Sequence, residues 1–104
     1  MDIDNRYDAS CFRGDDFALT IEFDEAITGR TYAGKVVNGS TGADIATMSI
    51  SIDTVNKIVV ASLTEAETLL ATAGKHSYYV TETNAGFTET IIYGSLYIRD
   101  RKTL

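Results

Sequence analysis

The chain has 104 residues, 44% of them apolar and 23% charged, which suits one domain with one modest core. Nine basic against 15 acidic side chains leave a net charge of −6, which excludes a phosphate-gripping nucleic-acid binder. No apolar run approaches the roughly 18 residues that span a bilayer, so no membrane partner is expected.

In chain order, Met1 to Tyr7 is a polar arm expected to order on assembly. Its start lacks the basic and apolar stretches of a secretion signal, so synthesis in a cytosol is expected. A short strand follows with Ser10, Cys11 and Phe12. Cys11 is the single cysteine, has no disulfide partner in the chain, and reads as a small core residue. Arg13-Gly14-Asp15-Asp16 contains both the integrin-type tripeptide and a polymerase-type Gly-Asp-Asp, but three residues carry little information. The segment reads as a turn that bends at Gly14. Phe17, Leu19, Ile21 and Phe23 then alternate with Ala18, Thr20 and Glu22, the period of a strand with one buried face.

Thr31 to Asn38 is the next predicted strand, closed by the turn Asn38-Gly39-Ser40-Thr41-Gly42. Asn38-Gly39-Ser40 also spells a glycosylation sequon and is read as turn chemistry. Ala46, Met48, Ile50 and Ile52 alternate with hydroxyl residues and are expected to share a buried face. Asp53 to Asn56 is a turn, and Lys57 to Leu63 a β-branched, more fully buried strand. Thr64 and Glu67 form a capping box that opens a short helix near 64–72, with Gly74 placed to end it. Lys75 to Thr83 is a strand with His76, Tyr78 and Val80 facing inward. Asn84-Ala85-Gly86 turns the chain into a last strand, Thr88 to Asp100, bent at Gly94.

About seven strands with frequent turns predict an all-β sandwich of two antiparallel sheets, one domain over 1–104. No catalytic, metal or cofactor site is expected. The carboxylate pairs Asp15/Asp16 and Asp24/Glu25 lack the loop spacing of a calcium site. A catalytic triad would have to combine His76 with Cys11 or a serine, and nothing in the spacing predicts that. Tyr78 and Tyr79 are consecutive and must point to opposite faces of their strand, so one of them is free to meet a partner. Acidic residues gather at the front (Asp2, Asp4, Asp8, Asp15, Asp16) and basic ones at the tail (Arg99, Arg101, Lys102). They read as two solvated termini, with a head-to-tail contact between copies as the alternative.

The order of features carries a resemblance. Phe12-Arg13-Gly14-Asp15-Asp16-Phe17 precedes an alternating strand. Leu63-Thr64-Glu65-Ala66-Glu67-Thr68 leads to Gly74-Lys75-His76-Ser77-Tyr78. The chain closes with Ile91-Ile92-Tyr93-Gly94-Ser95-Leu96-Tyr97-Ile98. Over residues 10–99 this resembles a family of small virion domains of tailed bacteriophages, found alone or at the N-termini of baseplate and tail-fibre proteins. Those domains often carry an aspartate after the strand tyrosine, where this chain has Tyr79. The resemblance implies an immunoglobulin-like sandwich without enzymatic activity, serving as a virion adaptor in the tail, baseplate or fibre region. It implies other virion proteins as partners, with a homo-oligomer as a further option. A capsid decoration or head-fibre protein and a carbohydrate- or receptor-binding module are the alternatives. The candidate partner contacts are Tyr79, Tyr93, Tyr97, Arg99 and Arg101.

Overall fold

Period-two alternation becomes seven strands in the computed structural model, which describes residues 6–100. The strands are β1 (Ala9–Phe12), β2 (Phe17–Glu22), β3 (Thr31–Val37), β4 (Asp44–Asp53), β5 (Ile58–Leu63), β6 (Gly74–Asn84) and β7 (Phe87–Arg99). One helical turn, α1 (Glu65–Thr68), lies between β5 and β6. The hydrogen-bonded order is β1-β7-β6-β3-β4-β5-β2. β4 serves two sheets: its first half, through Met48, pairs with β3, and from Ser49 onward it pairs with β5. One layer is therefore β1, β7, β6, β3 and the start of β4; the other is the end of β4 with β5 and β2. β1 runs parallel to β7, whereas all other neighbours are antiparallel. This connectivity, with the first strand parallel to the last, is that of an immunoglobulin-like sandwich.

The inward phases of the strands meet between the layers. Leu19, Val36, Met48, Ala61, Leu63, Tyr78, Val80, Leu96 and Ile98 form the buried cluster. Each large apolar side chain removed from water there contributes about 1.5–3 kcal/mol. Tyr78 is the largest of the fully buried residues, and its hydroxyl donates to the Tyr7 carbonyl. Ile27, in the loop before β3, is also fully buried, although nothing in the alternation marks it.

Local chemistry sets the turns. Ala85 and Gly86 take φ of 53° and 85°, the mirror-image two-residue turn that matches strand twist. The Asp53 carboxylate accepts the Val55 and Asn56 amides, and the Asn38 side chain accepts those of Ser40 and Thr41.

Several expectations need correction. The helix is shorter than 64–72. Its capping box is present, but Arg13 reaches from the β1–β2 turn and donates to the carbonyls of Leu69 (2.8 Å) and Ala71 (2.7 Å). Those carbonyls are thereby withdrawn from any further helical bonding. Gly74 opens β6 instead of ending the helix. Lys57, at φ 59°, belongs to the turn before β5. Ile52 keeps the inward phase but lies next to the hairpin tip and is 42% exposed. β7 is interrupted at Ile91, where the register slips by one residue, not at Gly94. Gly94 is a site of close approach: a Cβ there would overlap the Tyr7 carbonyl. Of the expected arm, Arg6 bridges to Tyr93 and the Tyr7 amide donates to the Tyr93 carbonyl; residues 1–5 lie outside the described residues.

Candidate functional site: an aromatic and basic sheet face

On β7, Leu96 and Ile98 point into the core, so Tyr93, Ser95, Tyr97 and Arg99 point outward. On β6, buried His76, Tyr78 and Val80 leave Lys75, Ser77 and Tyr79 on the same outer face. Register then fixes who meets whom. Tyr79 lies directly opposite Tyr93, and Tyr97 lies opposite Lys75. On its other side Tyr79 is opposite Lys35 of β3, which in turn lies opposite Thr47. A row of Lys35, Tyr79 and Tyr93 thus crosses the sheet and ends at Arg6, which bridges to Tyr93. Tyr93 and Tyr97 are 37% and 40% exposed, and Tyr79 is half-buried.

The cations of this face fall into two kinds. Lys35 pairs with Asp44 at 3.0 Å, and Arg6 with Asp8 at 3.2 Å. The Asp44 carboxylate raises the Lys35 pKa. Lys75 and Arg99, which flank Tyr97, form no ion pair among the described residues. Asp8 also accepts the Ser95 amide at 2.9 Å, taking the place of a missing strand partner, and this bond holds its carboxyl below the usual range. With the Arg6 guanidinium on its hydroxyl, Ser95 is buried at the floor of a shallow depression of about 430 Å³. Tyr79 and Tyr93 form part of its wall.

The structure therefore brings Tyr79, Tyr93, Tyr97 and Arg99 to one face, while Arg101 lies outside the described residues. The sequence motifs set aside earlier have structural uses. Arg13 closes the end of α1, and the Gly14 amide donates to the Thr68 hydroxyl at 2.9 Å. The His76 ring accepts the Gly39 amide at Nδ1, so Nε2 carries the proton and donates to the Thr72 carbonyl at 2.7 Å. That ring ties two loops together. Cys11 packs against the core, and burial first, then the Asp15 charge, pushes its thiol pKa up.

One buried charge escaped the sequence reading. Glu82 is 6% exposed and accepts the Tyr32 hydroxyl at 2.7 Å and the Arg30 guanidinium at 3.4 Å. Burial, then the bond to Glu82, raises the Tyr32 pKa. Its signal was present: Glu82 continues the inward phase of His76, Tyr78 and Val80. No group of three or more His, Cys, Asp or Glu among the described residues is gathered to hold a metal ion.

Fold and face together define an all-β, immunoglobulin-like sandwich that displays a tyrosine-rich sheet surface. The chain resembles the crystal structure of CopC from Methylosinus trichosporium OB3b, with a TM-score of 0.56 and 9% identity over 84% of this chain and 79% of that one. No family model and no curated protein matches the chain. The likeness concerns the fold alone, and 257 solved chains match at a comparable standard. An architecture so widely shared hosts many functions, so function is argued from the surface.

Proposed function

We propose that this chain is a non-enzymatic adaptor of a tailed-bacteriophage virion, in the tail, baseplate or fibre region, and that it docks through the outer face of the first sheet. The observation that carries the docking reading is the placement of Tyr79, Tyr93 and Tyr97 on one face with Lys75 and Arg99 beside them. Tyrosine and arginine are enriched at protein interfaces, because they bury wide flat area at low entropic cost and keep a polar end for the rim. In an acidic chain, cations concentrated on one face also orient an approaching partner. The virion setting follows from the family resemblance. Tyr79, where this chain departs from that pattern, stands between Lys35 and Tyr93 in the row that crosses the sheet.

The test is mass spectrometry of gradient-purified particles of the phage that encodes the chain. A fixed copy number per particle, retained after a high-salt wash, is the expected result. Absence from washed particles refutes the reading. Glycan titrations followed by NMR separate the carbohydrate-binding alternative: shifts confined to Tyr93 and Tyr97 with micromolar saturation would favour it over the adaptor.

A further inference from the structure

We infer that the depression floored by Ser95 is a carboxylate notch, which takes an aspartate or glutamate side chain of the docked partner protein. This deepens the docking reading above and rests on it. Register builds the notch. Ser77 lies directly opposite Ser95, between the Tyr79–Tyr93 pair and the Lys75–Tyr97 pair. Two small side chains thus stand between rows of large ones, all on the outer phase of β6 and β7. The space they leave is the depression of about 430 Å³. Opposite residues on one face have Cβ atoms about 4.5–5.5 Å apart, close enough for the two hydroxyls to share one carboxylate.

The lining consists of donors. Ser95 is 3% exposed, and its hydroxyl accepts Arg6 Nη2 at 3.4 Å, which leaves the hydroxyl proton to donate. Ser77 is exposed beside it. Lys75 closes one end, and no ion pair among the described residues engages it. Among the described residues no aspartate or glutamate lines the depression, in a chain whose net charge is −6. That local reversal of sign selects an acidic occupant.

Charge balance narrows the class of ligand. Asp8 stands next to Ser95 and accepts both the Ser95 amide and Arg6 Nε. It cancels the Arg6 charge. Lys75 is near enough to act on Asp8 by charge but forms no ion pair with it, so the Lys75 charge is the one left for a ligand. One cation with two hydroxyls suits the single charge of a carboxylate. A phosphate monoester, nearly doubly charged at neutral pH, would set its second charge against Asp8. The Tyr79 and Tyr93 rings supply an apolar wall for the methylene stem of an acidic side chain.

NMR titration of the isotope-labelled chain with the capped tripeptide acetyl-Gly-Glu-Gly-amide tests it, beside the matching glutamine tripeptide and sialyllactose. Shifts at the Ser77, Gly94 and Ser95 amides are expected, saturating in the millimolar range, weaker in added salt and absent with the glutamine peptide. Ser77→Val fills the notch with a residue that strands favour, and should weaken binding about tenfold or more. Lys75→Gln removes the charge at an exposed site, and should weaken it about threefold or more. The remaining amide signals report whether each variant is folded, and if one is not, the other decides. No shift, equal shifts from the glutamine peptide, shifts indifferent to both variants, or tighter binding of sialyllactose overturns the inference. Particles separate it from the docking reading. A Ser77→Val chain incorporated as fully as the parent sinks the notch and leaves the docking face standing. A parent chain absent from particles sinks the docking reading, and the titration then decides alone whether the notch binds a carboxylate.

Discussion

Replacing Gly94 by alanine distinguishes two accounts of the last strand. If Gly94 merely bends the strand, alanine is neutral or stabilises by about 0.5–1 kcal/mol, because it narrows the unfolded ensemble. The structure says otherwise. The new Cβ would overlap the Tyr7 carbonyl oxygen, with the carbonyl carbon at 2.7 Å and Asp8 Oδ1 at 3.0 Å. These are backbone atoms and a bonded carboxylate, so the N-terminal segment must move by about an ångström. That motion breaks the Tyr7 amide bond to Tyr93 (2.9 Å) and the Tyr78 hydroxyl bond to Tyr7, and it strains the Asp8–Ser95 bond. The lost Tyr7 amide bond at about 1 kcal/mol, and the buried Tyr78 hydroxyl left without its acceptor at about 1–3 kcal/mol, outweigh the alanine gain. The net expected loss is about 1–3.5 kcal/mol, or roughly 4–25 °C in melting temperature for a domain of this size. Urea denaturation measures the loss, and hydrogen exchange at the Tyr7 amide locates it. Gly34→Ala is the comparison: there the nearest atom is the Met48 sulfur, the mobile end of a side chain, and a smaller loss is expected. A Gly94→Ala protein as stable as the parent, with the Tyr7 amide still protected, would refute this reasoning.

Three further outcomes follow from named contacts. Arg13→Lys keeps the charge but loses the fork onto the Leu69 and Ala71 carbonyls, and should cost about 1–3 kcal/mol in urea denaturation. Tyr32→Phe removes the 2.7 Å bond to buried Glu82, leaves Arg30 as its remaining partner, and should cost about 1.5–3 kcal/mol by the same assay. Stability should also depend on pH at both ends. The Asp8 and Asp53 carboxyls are held below their usual values, by the Ser95 amide and by Asn56 respectively, so their contribution is complete above about pH 4. It is lost as pH falls through the folded values. The Tyr78 hydroxyl is pushed up to about 12, mainly by burial, so its contribution is complete below about pH 10 and lost as pH rises toward that value. Melting temperatures across pH 2–12 should form a plateau that falls on both sides, and Asp8→Asn should flatten the acid limb.

What could be read in the sequence was local. Alternation at Phe17–Phe23 and His76–Val80 places core faces because a pleat sends neighbours to opposite sides. The Thr64–Glu67 box and the Ala85-Gly86 turn are set within four residues, and both are present as written. Tyr93, Tyr97 and Arg99 share an odd phase on one strand, so their common face was legible as well. Their meeting with Tyr79 was not, because it depends on the β6–β7 register, which slips at Ile91. Gly94, Arg13 and Glu82 act through partners far away in sequence, and no window of residues carries that information. For the same reason β4 reads as one strand although it serves both layers.

On the proposed reading, the tyrosine face is what this protein offers its neighbours in a virion. The most direct measurement places a photo-crosslinking amino acid at Tyr79, at Tyr97 and, as a control, at Ser51 on the opposite sheet, in chains incorporated into assembled particles. Crosslinks from positions 79 and 97 to a single virion protein, with none from position 51, are the predicted result. Crosslinks from position 51 alone, or no virion protein recovered from positions 79 and 97, would contradict it.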